Sequence, residues 1–287
     1  MTKEKDIVKK WFVCNDQAII TLAKTTNLVN KAIRLHSLTP TTTAVLGRSL
    51  TMSVLMSTRL SGKKDNITSI IEGDGPVGKI VCVAKAGCEV KGYVEHPEID
   101  LYPNKNGKLD VSGAVGKNGK LKVVMDYGFG KPYAGEVDLE SGEIAEDFVK
   151  YYASSLQQPC AIALGVLVAK NNKCESSAGM LIELLPDAEE SVIEDIEKVV
   201  GKIENFSMMM KEKSLDDFIN ENFSDANFLN FELEPKFNCR CSKSKLLKIL
   251  KGMDEKVVSD LFDEKGEILG HCDFCNKTHI ITKDDLK

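Results

Sequence analysis

The sequence contains no apolar stretch long enough to cross a membrane. Its longest uninterrupted apolar run, residues 160–169 (CAIALGVLVA), has ten residues, whereas a membrane-spanning helix needs roughly 20. The N-terminal stretch MTKEKDIVKKWFV carries charges but neither the apolar core nor the small-residue cleavage site of a secretion signal. From the sequence we therefore expect a cytoplasmic protein without a membrane anchor.

Signatures of common catalytic and nucleotide-binding sites are also missing. The glycine-rich stretch GDGPVG (73–78) lacks the lysine of a phosphate-binding loop, and no GxGxxG motif leads from a strand into a helix. No GxSxG nucleophile motif occurs, and His36 and His96 are isolated from any recognisable nucleophile. The net charge of −5 provides no general basic excess for binding nucleic acid. We predict that the chain is neither an enzyme nor a nucleic-acid-binding protein.

The cysteines do not follow the pattern of a disulfide-stabilised secreted domain. There are nine, an odd number, in a chain without a recognisable secretion signal. Five are scattered singly among apolar neighbours, and we interpret them as small buried residues: Cys14, Cys82, Cys88, Cys160 and Cys174. Of these, Cys82 and Cys88 flank a turn, so a disulfide between them under oxidation is the alternative. The other four cysteines are clustered in two pairs near the C-terminus.

Residues 1–186 have the pattern of a domain with mixed helices and strands. Strand-like stretches separated by glycine-containing turns are predicted at 18–23, 67–72, 79–84, 89–94, 121–126 and 161–168. Helical patterns cover residues 40–60 and 143–154. This order predicts an α+β fold with antiparallel or mixed sheets rather than a doubly wound parallel sheet.

Local signals mark the ends of several of these elements. Thr39 followed by proline, and Ser141, are candidate N-caps for the two helices. Asn-Gly pairs within residues 105–107 and 117–120 predict two turns of the hairpin type.

A strongly acidic segment, residues 187–235, follows this domain and is called the acidic segment below. It carries 14 acidic and 4 basic side chains, a net charge of −10, against +3 for residues 1–186 and +2 for residues 236–287. It nevertheless holds five of the eleven phenylalanines and three of the nine methionines: Phe206, Phe218, Phe223, Phe228, Phe231 and Met208, Met209, Met210. A disordered acidic linker is normally poor in such residues.

The acidic segment also shows helical periodicity. Ile193, Ile196 and Val200 recur at three- and four-residue steps, and a second helical stretch over 214–222 begins with Ser214 as a candidate N-cap. We predict amphipathic helices that dock weakly on another surface, because the like charges repel one another. The alternative is an ordinary pair of helices connecting two domains.

The strongest chemical signal lies in residues 236–287. Cys239 and Cys241 form a CxC pair, and thirty residues later Cys272 and Cys275 form a CxxC pair. Two short loops that each supply two thiolates suit the tetrahedral geometry of Zn²⁺. A module of this size has a small core, and a structural metal can contribute on the order of 10 kcal/mol to its folding. The sequence therefore predicts one zinc ion held by these four cysteines.

The residues alone leave the role of this zinc open. CxC is an unusual spacing for a purely structural site, and CxxC is the spacing of dithiol redox centres, so both a structural zinc and a redox switch fit. His271 and His279 are rival ligands, which we interpret as surface residues because four cysteines already complete the coordination. Two other classes remain: an enzyme in the N-terminal domain with a zinc appendage, and a zinc-ribbon nucleic-acid or translation factor, supported by Arg240 and the lysines within 243–251.

These motifs resemble the heat-shock protein 33 family of redox-regulated bacterial holdase chaperones. The resemblance rests on CRCS at 239–242 and HCDFCN at 271–276, and further upstream on the GDGP turn at 73–76. Residues 39–50 (TPTTTAVLGRSL) and 126–168 are also similar to stretches of that family, in the same order, so the resemblance covers nearly the whole chain. Cys160 departs from the serine or small residue expected there, which should affect packing only.

The resemblance implies a three-part protein. Residues 1–186 would form a stable platform, the acidic segment a metastable helical linker, and residues 236–287 a zinc-binding switch. Oxidation would pair Cys239 with Cys241 and Cys272 with Cys275, release zinc and unfold the switch and the linker. The exposed surface would then hold unfolding client proteins without ATP, and the oxidised form would be a homodimer.

Overall fold

The computed structural model describes residues 5–286 of the 287-residue chain. Residues 1–4, which begin the stretch used to argue against a secretion signal, and residue 287 lie outside this range. Two compact units follow one another, the first ending at Phe237 and the second beginning at Asn238. The acidic segment therefore belongs to the first unit. Among the helices of residues 5–286, none has the length and apolar character needed to span a bilayer.

The first unit contains a five-stranded antiparallel sheet built from both ends of the unit. Its strands are β1 (Ile7–Val13), β2 (Ala18–Lys24), β8 (Cys160–Val168), β9 (Cys174–Leu184) and β10 (Asn227–Leu233). They are arranged in the order β10-β1-β2-β9-β8. We call this the first sheet.

A second sheet of six strands lies in the middle of the chain. Its strands are β3 (Asn66–Glu72), β4 (Lys79–Lys85), β5 (Glu89–Val94), β6 (Lys120–Asp126), β7 (Tyr133–Asp138) and β11 (Lys236–Phe237). The order is β11-β5-β4-β3-β6-β7, and all neighbours are antiparallel except the two-residue β11, which runs parallel to β5. The α+β class with antiparallel and mixed sheets is thus confirmed, and all six predicted strands are present.

Ten α-helices complete the described chain. They are α1 (Thr26–His36), α2 (Pro40–Ser57), α3 (Val111–Val115), α4 (Ala145–Tyr151), α5 (Glu190–Gly201), α6 (Phe206–Glu212), α7 (Leu215–Asn222), α8 (Lys243–Lys251), α9 (Glu255–Asp260) and α10 (Lys283–Leu286). A single π-helical turn, Tyr152–Leu156, continues α4.

Helix α2 forms the centre of the main core, because it contacts strands of both sheets. Nearly every one of its residues is buried, although many are serine or threonine. Their hydroxyls donate to carbonyls of the preceding helical turn, as Thr51 does to Gly47 at 2.7 Å and Ser53 to Ser49 at 2.8 Å. This satisfies most of the buried hydroxyls without water, so the helix tolerates burial on nearly all sides; the Thr43 hydroxyl is an exception.

Of the two helix caps predicted within residues 1–186, one is confirmed and the other is wrong. The hydroxyl of Thr39 accepts the backbone N–H of Thr42 ahead of Pro40, as the sequence predicts. Ser141 does not cap α4. Instead the buried carboxylate of Asp147, within the first turn of α4, accepts four backbone N–H groups, those of residues 140, 141, 142 and 144. The carboxylate accepts more N–H groups than one hydroxyl can, so the chain folds back over it.

Both predicted turns are present, but the prediction that they join the strands of hairpins is wrong. The turn at 105–107 closes within the loop between β5 and α3, where the N–H of Asn104 donates to the carbonyl of Lys108 at 2.8 Å. The turn at 117–120 leads from α3 into β6. Asn-Gly pairs produce tight turns in both places, but neither turn has a strand on each side to join.

The helices of the acidic segment cover the outer face of the first sheet. Apolar residues of α5, α6 and α7 form a second core with sheet residues that point away from α2. The sheet contributes Trp11, Val13, Ile20, Leu22, Met180 and Ile182, and the helices contribute Val192, Ile196, Val199, Phe206, Met210, Leu215, Phe218 and Ile219. The predicted N-cap of α7 is confirmed, since the hydroxyl of Ser214 accepts the N–H of Asp217 at 3.1 Å.

The helices predicted in the acidic segment end at residue 222, and the last part of the segment forms a strand that the sequence analysis did not predict. Residues 227–233 form β10, which pairs antiparallel with β1 at the edge of the first sheet. Leu229, Phe231 and Leu233 are half-buried and alternate with exposed residues, the period of a strand. The open edge of β1 provides backbone partners that a helix at this position would not have.

The second unit is a small module around an antiparallel hairpin. The hairpin consists of β12 (Glu267–Cys272) and β13 (Lys277–Thr282). Its apolar core has four buried residues, Leu250, Val258, Ile268 and Ile281. A core of four buried residues contributes little hydrophobic stabilisation. A module this small normally needs a further stabilising element, such as a bound metal or a disulfide.

Candidate metal centre

Two loops of the second unit carry the four clustered cysteines. Cys239 and Cys241 lie in the extended stretch between β11 and α8. Cys272 ends β12, and Cys275 lies in the tight turn that leads to β13. One loop therefore precedes the first helix of the module and the other is the tip of its hairpin.

The hairpin turn places its two thiols at the same end. The backbone N–H groups of Cys275 and Asn276 both donate to the carbonyl of Cys272, at 3.1 and 2.8 Å. Asn276 has a φ of 55°, in the left-handed region, which asparagine tolerates better than most residues.

All four Sγ atoms lie within 4.8 Å of one another. Cys239 Sγ is 3.7 Å from Cys272 Sγ, and Cys241 Sγ is 3.3 Å from Cys275 Sγ. These separations exclude disulfides, whose S–S bond is about 2.0 Å. Four thiolates arranged tetrahedrally at about 2.3 Å from a zinc ion are about 3.8 Å apart. The donor set and the spacing thus fit a metal ion such as zinc, and the structure brings all four predicted residues together.

The environment of the four thiols is uneven. Burial works against ionisation at Cys239, yet hydrogen bonds from the backbone of Cys241 and from the neighbouring thiols hold the Cys239 pKa below its ordinary value. Burial raises the pKa values of Cys241, Cys272 and Cys275. A bound cation would reverse this, because it stabilises the charged form of each sulfur.

Neither histidine of the module takes part in the cluster. The Nδ1 atom of His271 lies 3.4 Å from the hydroxyl of Thr278, and its ring is half exposed. His279 lies on β13 opposite Gly270, away from the turn. Their placement leaves the cysteines as the ligand set.

The five scattered cysteines have a different character. Cys82, Cys88 and Cys174 are buried, and Cys14 and Cys160 are half-buried. Burial raises the pKa of Cys14 to about 11 and those of Cys82, Cys160 and Cys174 to about 12, and it also raises that of Cys88. All five are free thiols in this structure. At neutral pH they are protonated and therefore weak nucleophiles.

Sequence reasoning missed the groups that hold the first loop. The hydroxyl of Ser242 accepts the N–H of Lys245 and caps α8, and the Lys245 ammonium donates to the carbonyl of Arg240 at 2.5 Å. Lys243 pairs with Asp285 of α10 at 2.7 Å. The serine immediately after the CxC pair was the available signal for the cap. Two lysines that suggested a nucleic-acid surface are thus engaged within the module.

The similarity to a known protein family covers nearly the whole chain. The family model described as Hsp33 protein matches residues 6–282. A curated relative, the 33 kDa chaperonin of Caldanaerobacter subterraneus subsp. tengcongensis, is 37% identical over 284 residues, covering 98% of this chain and 97% of that protein. The 33 kDa chaperonin of Clostridium botulinum is 38% identical over 284 residues, covering 98% and 96%.

A solved structure has the same arrangement. The crystal structure of the 33 kDa chaperonin from Thermotoga maritima, a heat shock protein 33 homologue, superimposes with a TM-score of 0.89 at 30% identity, covering 99% of this chain and 97% of that one. The relatives are named chaperonins, which are not enzymes, so the alternative of a catalytic N-terminal domain is set aside.

Proposed function

This chain belongs to the Hsp33 protein family, and from that premise we propose that it is a redox-regulated, ATP-independent holdase. Membership of this family identifies the chain as a chaperone, a protein that binds unfolded clients. The proposal adds that the four-cysteine centre controls when this binding occurs. Its main support is the cluster of four thiols in a module whose apolar core has four buried residues.

In the resting state Cys239, Cys241, Cys272 and Cys275 would hold one zinc ion. Bound zinc would keep all four sulfurs as thiolates, the form that oxidants attack. The remaining cysteines are protonated thiols with raised pKa values, so oxidation would be selective for the cluster.

Oxidation would convert the four thiolates into two disulfides. Four electrons leave the sulfurs and are taken up by two equivalents of a two-electron oxidant such as hydrogen peroxide. Each peroxide takes two protons from solvent and becomes two waters. Disulfide sulfurs are poor ligands, so the metal is lost and with it the folding free energy that its binding provides.

We propose that Cys239 pairs with Cys241 and Cys272 with Cys275. Sulfurs of different loops are also close in the reduced state, at 3.7 Å for Cys239 and Cys272. As oxidation of the first thiolates opens the metal site, however, only partners on the same short loop are kept near each other by covalent connection. Peptide mapping of the oxidised protein distinguishes the two pairings.

Unfolding of the second unit would act on the acidic segment through the chain itself, because β10 and β11 lead directly into Cys239. The docking of this segment combines the apolar contacts of α5, α6 and α7 with ion pairs to the sheet. Lys9 of β1 bonds to Asp216 of α7 at 2.9 Å and lies 3.4 Å from Glu232 of β10, so a single lysine bridges two elements of the segment. Burying one phenylalanine contributes roughly 1.5–3 kcal/mol, so release would require the repulsion among the acidic side chains to offset several such contacts.

Release of α5, α6 and α7 would uncover the outer face of the first sheet. That face includes Trp11, Ile20, Leu22 and Met180. An exposed apolar surface of this kind binds the apolar segments of unfolding proteins. The same surface would favour a homodimer in the oxidised state. The switch requires a compartment that keeps thiols reduced at rest, such as the cytoplasm.

Light scattering of an aggregating client tests the proposal. Reduced, zinc-loaded protein should suppress aggregation of a thermally unfolding enzyme poorly, and protein treated with peroxide under mild heat should suppress it well, without added nucleotide. Equal suppression by both forms contradicts the redox switch. Reduction in the presence of zinc should reverse the change.

A variant with all four cluster cysteines replaced by serine locates the switch. Its activity should not depend on oxidant. If it stayed folded throughout and its activity still rose on oxidation, the switch would lie elsewhere, with Cys82 and Cys88 the next residues to examine.

A further inference from the structure

The turn between β1 and β2, residues 14–17, has an unusual backbone. Cys14, Asn15 and Asp16 all have positive φ angles, of 55°, 53° and 60°. None is glycine, and three consecutive residues in the left-handed region are unfavourable for L-amino acids. Such a conformation persists where surrounding contacts hold it.

One set of contacts ties this turn to the start of the acidic segment. The carbonyl of Gln17 accepts the N–H of Leu185, just after β9, at 2.9 Å. The side-chain Oε1 of Gln17 accepts the N–H of Glu189 at 2.7 Å. Glu189 is the residue immediately before α5, so the Gln17 side chain holds the first turn of the docked helices.

A second set of contacts ties the same turn to the other end of the helices. The N–H of Asn15 donates to the carboxylate of Asp225, which follows α7. The side-chain amide of Asn227, at the start of β10, donates to the carboxylate of Asp16 at 3.1 Å. Three residues of a single turn, Asn15, Asp16 and Gln17, therefore hold both ends of the stretch that contains α5, α6 and α7.

Polar contacts add to the apolar packing of the second core at this attachment. A cavity of about 470 Å³ lies between the turn and the helices, and its lining is mostly polar, with Asn15, Gln17, Lys198 and Asn222 among the residues. Cys14 also lines it.

We propose that the β1–β2 turn is a latch that holds both ends of the α5–α7 stretch and releases them together. Loss of the contacts at either end removes the support for the left-handed turn, which relaxes and weakens the contacts at the other end. The latch lies wholly in the first unit and uses no group of the metal centre. It goes beyond the proposed redox function, because it describes how the reduced, docked state is held.

Amide hydrogen exchange of the reduced, zinc-loaded full chain tests the latch without any oxidant. Gln17→Ala removes the acceptor at the start of the stretch, and Asp225→Ala removes the acceptor at its end. Each variant should accelerate exchange about tenfold at both ends, in residues 189–192 and in residues 222–227. Acceleration confined to the end that carries the substitution would overturn the proposal.

Two further variants complete the test. Glu197→Gln removes one negative charge from an exposed position of α5 and should leave both ends unchanged. Asn15→Gly keeps the N–H donor and makes the positive φ easier to adopt, so it should slow exchange at both ends. This variant is expected to fold even if Asp225→Ala does not, and unchanged or faster exchange at either end would also overturn the latch.

The Cys14 thiol reports on the turn itself. Its labelling by a maleimide, followed by peptide mass spectrometry, should accelerate in both Gln17→Ala and Asp225→Ala. The Gln17→Ala result is decisive, because Asp225 also raises the Cys14 pKa and its removal speeds labelling by itself. Unchanged labelling in both variants would show that the turn keeps its conformation when its partners are lost, and would contradict the coupling. All of these readouts are independent of client binding, so they can fail while the redox switch holds.

Discussion

At the scale of single residues, the nine cysteines divide by environment. Five are buried or half-buried protonated thiols with raised pKa values, scattered through the first unit. Four converge in the second unit within 4.8 Å of one another. The same side chain therefore acts as a small packing residue in one place and as a candidate metal ligand in another, and the difference is set by proximity of other thiols.

Substitution of one cluster cysteine should remove the metal. Cys275→Ser should lower the zinc content of reduced protein from about one per chain to a small fraction, because three thiolates and a hydroxyl bind zinc far more weakly than four thiolates. Elemental analysis and the melting of residues 238–287 measure the effect. Cys160→Ser, outside the cluster, is the matched control and should keep its zinc. Full zinc content in Cys275→Ser would exclude this residue as a ligand.

A buried carboxyl group should make the stability of the first unit depend on pH. Burial raises the pKa of Asp6 to about 6, although the backbone N–H groups of Asn27 and Leu28 donate to its carboxylate at 2.8 and 2.7 Å. The protonated form is therefore favoured in the folded state, and its stabilising contribution is present below pH 4 and lost as the pH rises through 6. Between pH 5 and 7.5 the free energy of unfolding should fall by about 1 kcal/mol from this group.

Asp6→Asn separates this effect from other titrations. The variant lacks the ionising group, so its free energy of unfolding, from urea titrations at the two pH values, should fall less than that of the unmodified chain by about 1 kcal/mol. The same pH dependence in both proteins would mean that Asp6 titrates at its ordinary value when folded.

At the scale of elements, the lack of a side chain at Gly165 of β8 lets α6 pack closely against the first sheet. A Cβ atom added at Gly165 of β8 would lie 2.6 Å from the backbone nitrogen of Ser207 and 2.8 Å from its Cβ. Gly270 of β12 plays a similar part in the second unit, where an added Cβ would meet the side chain of Leu246 of α8. In both cases the absence of a side chain on a strand lets a helix lie against it.

Gly165→Ala should push α6 off the sheet. The new methyl group overlaps backbone atoms of the helix, and overpacking of this kind costs about 1–3 kcal/mol. Hydrogen exchange in α6 should accelerate in the reduced protein, and client suppression should rise without oxidant. Gly201→Ala, at the end of α5 where an added Cβ meets nothing within 4 Å, is the matched control. Unchanged protection of α6 in Gly165→Ala would mean that the helix shifts without loss of docking.

At the scale of the whole molecule, charge and core size differ strongly along the chain. The main core around α2 draws on both sheets, while the acidic segment, with a net charge of −10, adds a second core on one sheet face. The second unit has four buried apolar residues. Stability should therefore decrease from the α2 core to the acidic segment and to the second unit deprived of metal.

Oxidation should unfold the least stable part of the chain first and the α2 core last. Hydrogen exchange during peroxide treatment should show loss of protection first in residues 238–287, then in α5, α6 and α7, and last in central strands such as β2 and β4. Protection of the acidic segment that stays equal to that of β4 would refute the proposed release. A zinc chelator added to reduced protein under anaerobic conditions should reproduce the order without an oxidant.

Short-range signals in the sequence were sufficient to predict the four-cysteine cluster and many elements. Thr39 and Pro40 mark the start of α2, Ser214 marks α7, and the spacing of the four cysteines predicted a cluster that the structure brings together. Each of these depends on residues within a few positions of one another, or on a chemical preference of four like ligands. Such information is present in the linear chain.

Only the tertiary structure decided the long-range pairings. β10 lies beside β1, more than 200 residues earlier in the chain, and this pairing makes a strand of a stretch for which the sequence analysis predicted no strand. Asp147 replaced Ser141 as the partner of the α4 turn because the chain folds back over a buried carboxylate. Sheet edges and buried acceptors are created by distant segments, so the local pattern determined which elements could form, and packing determined where each was used.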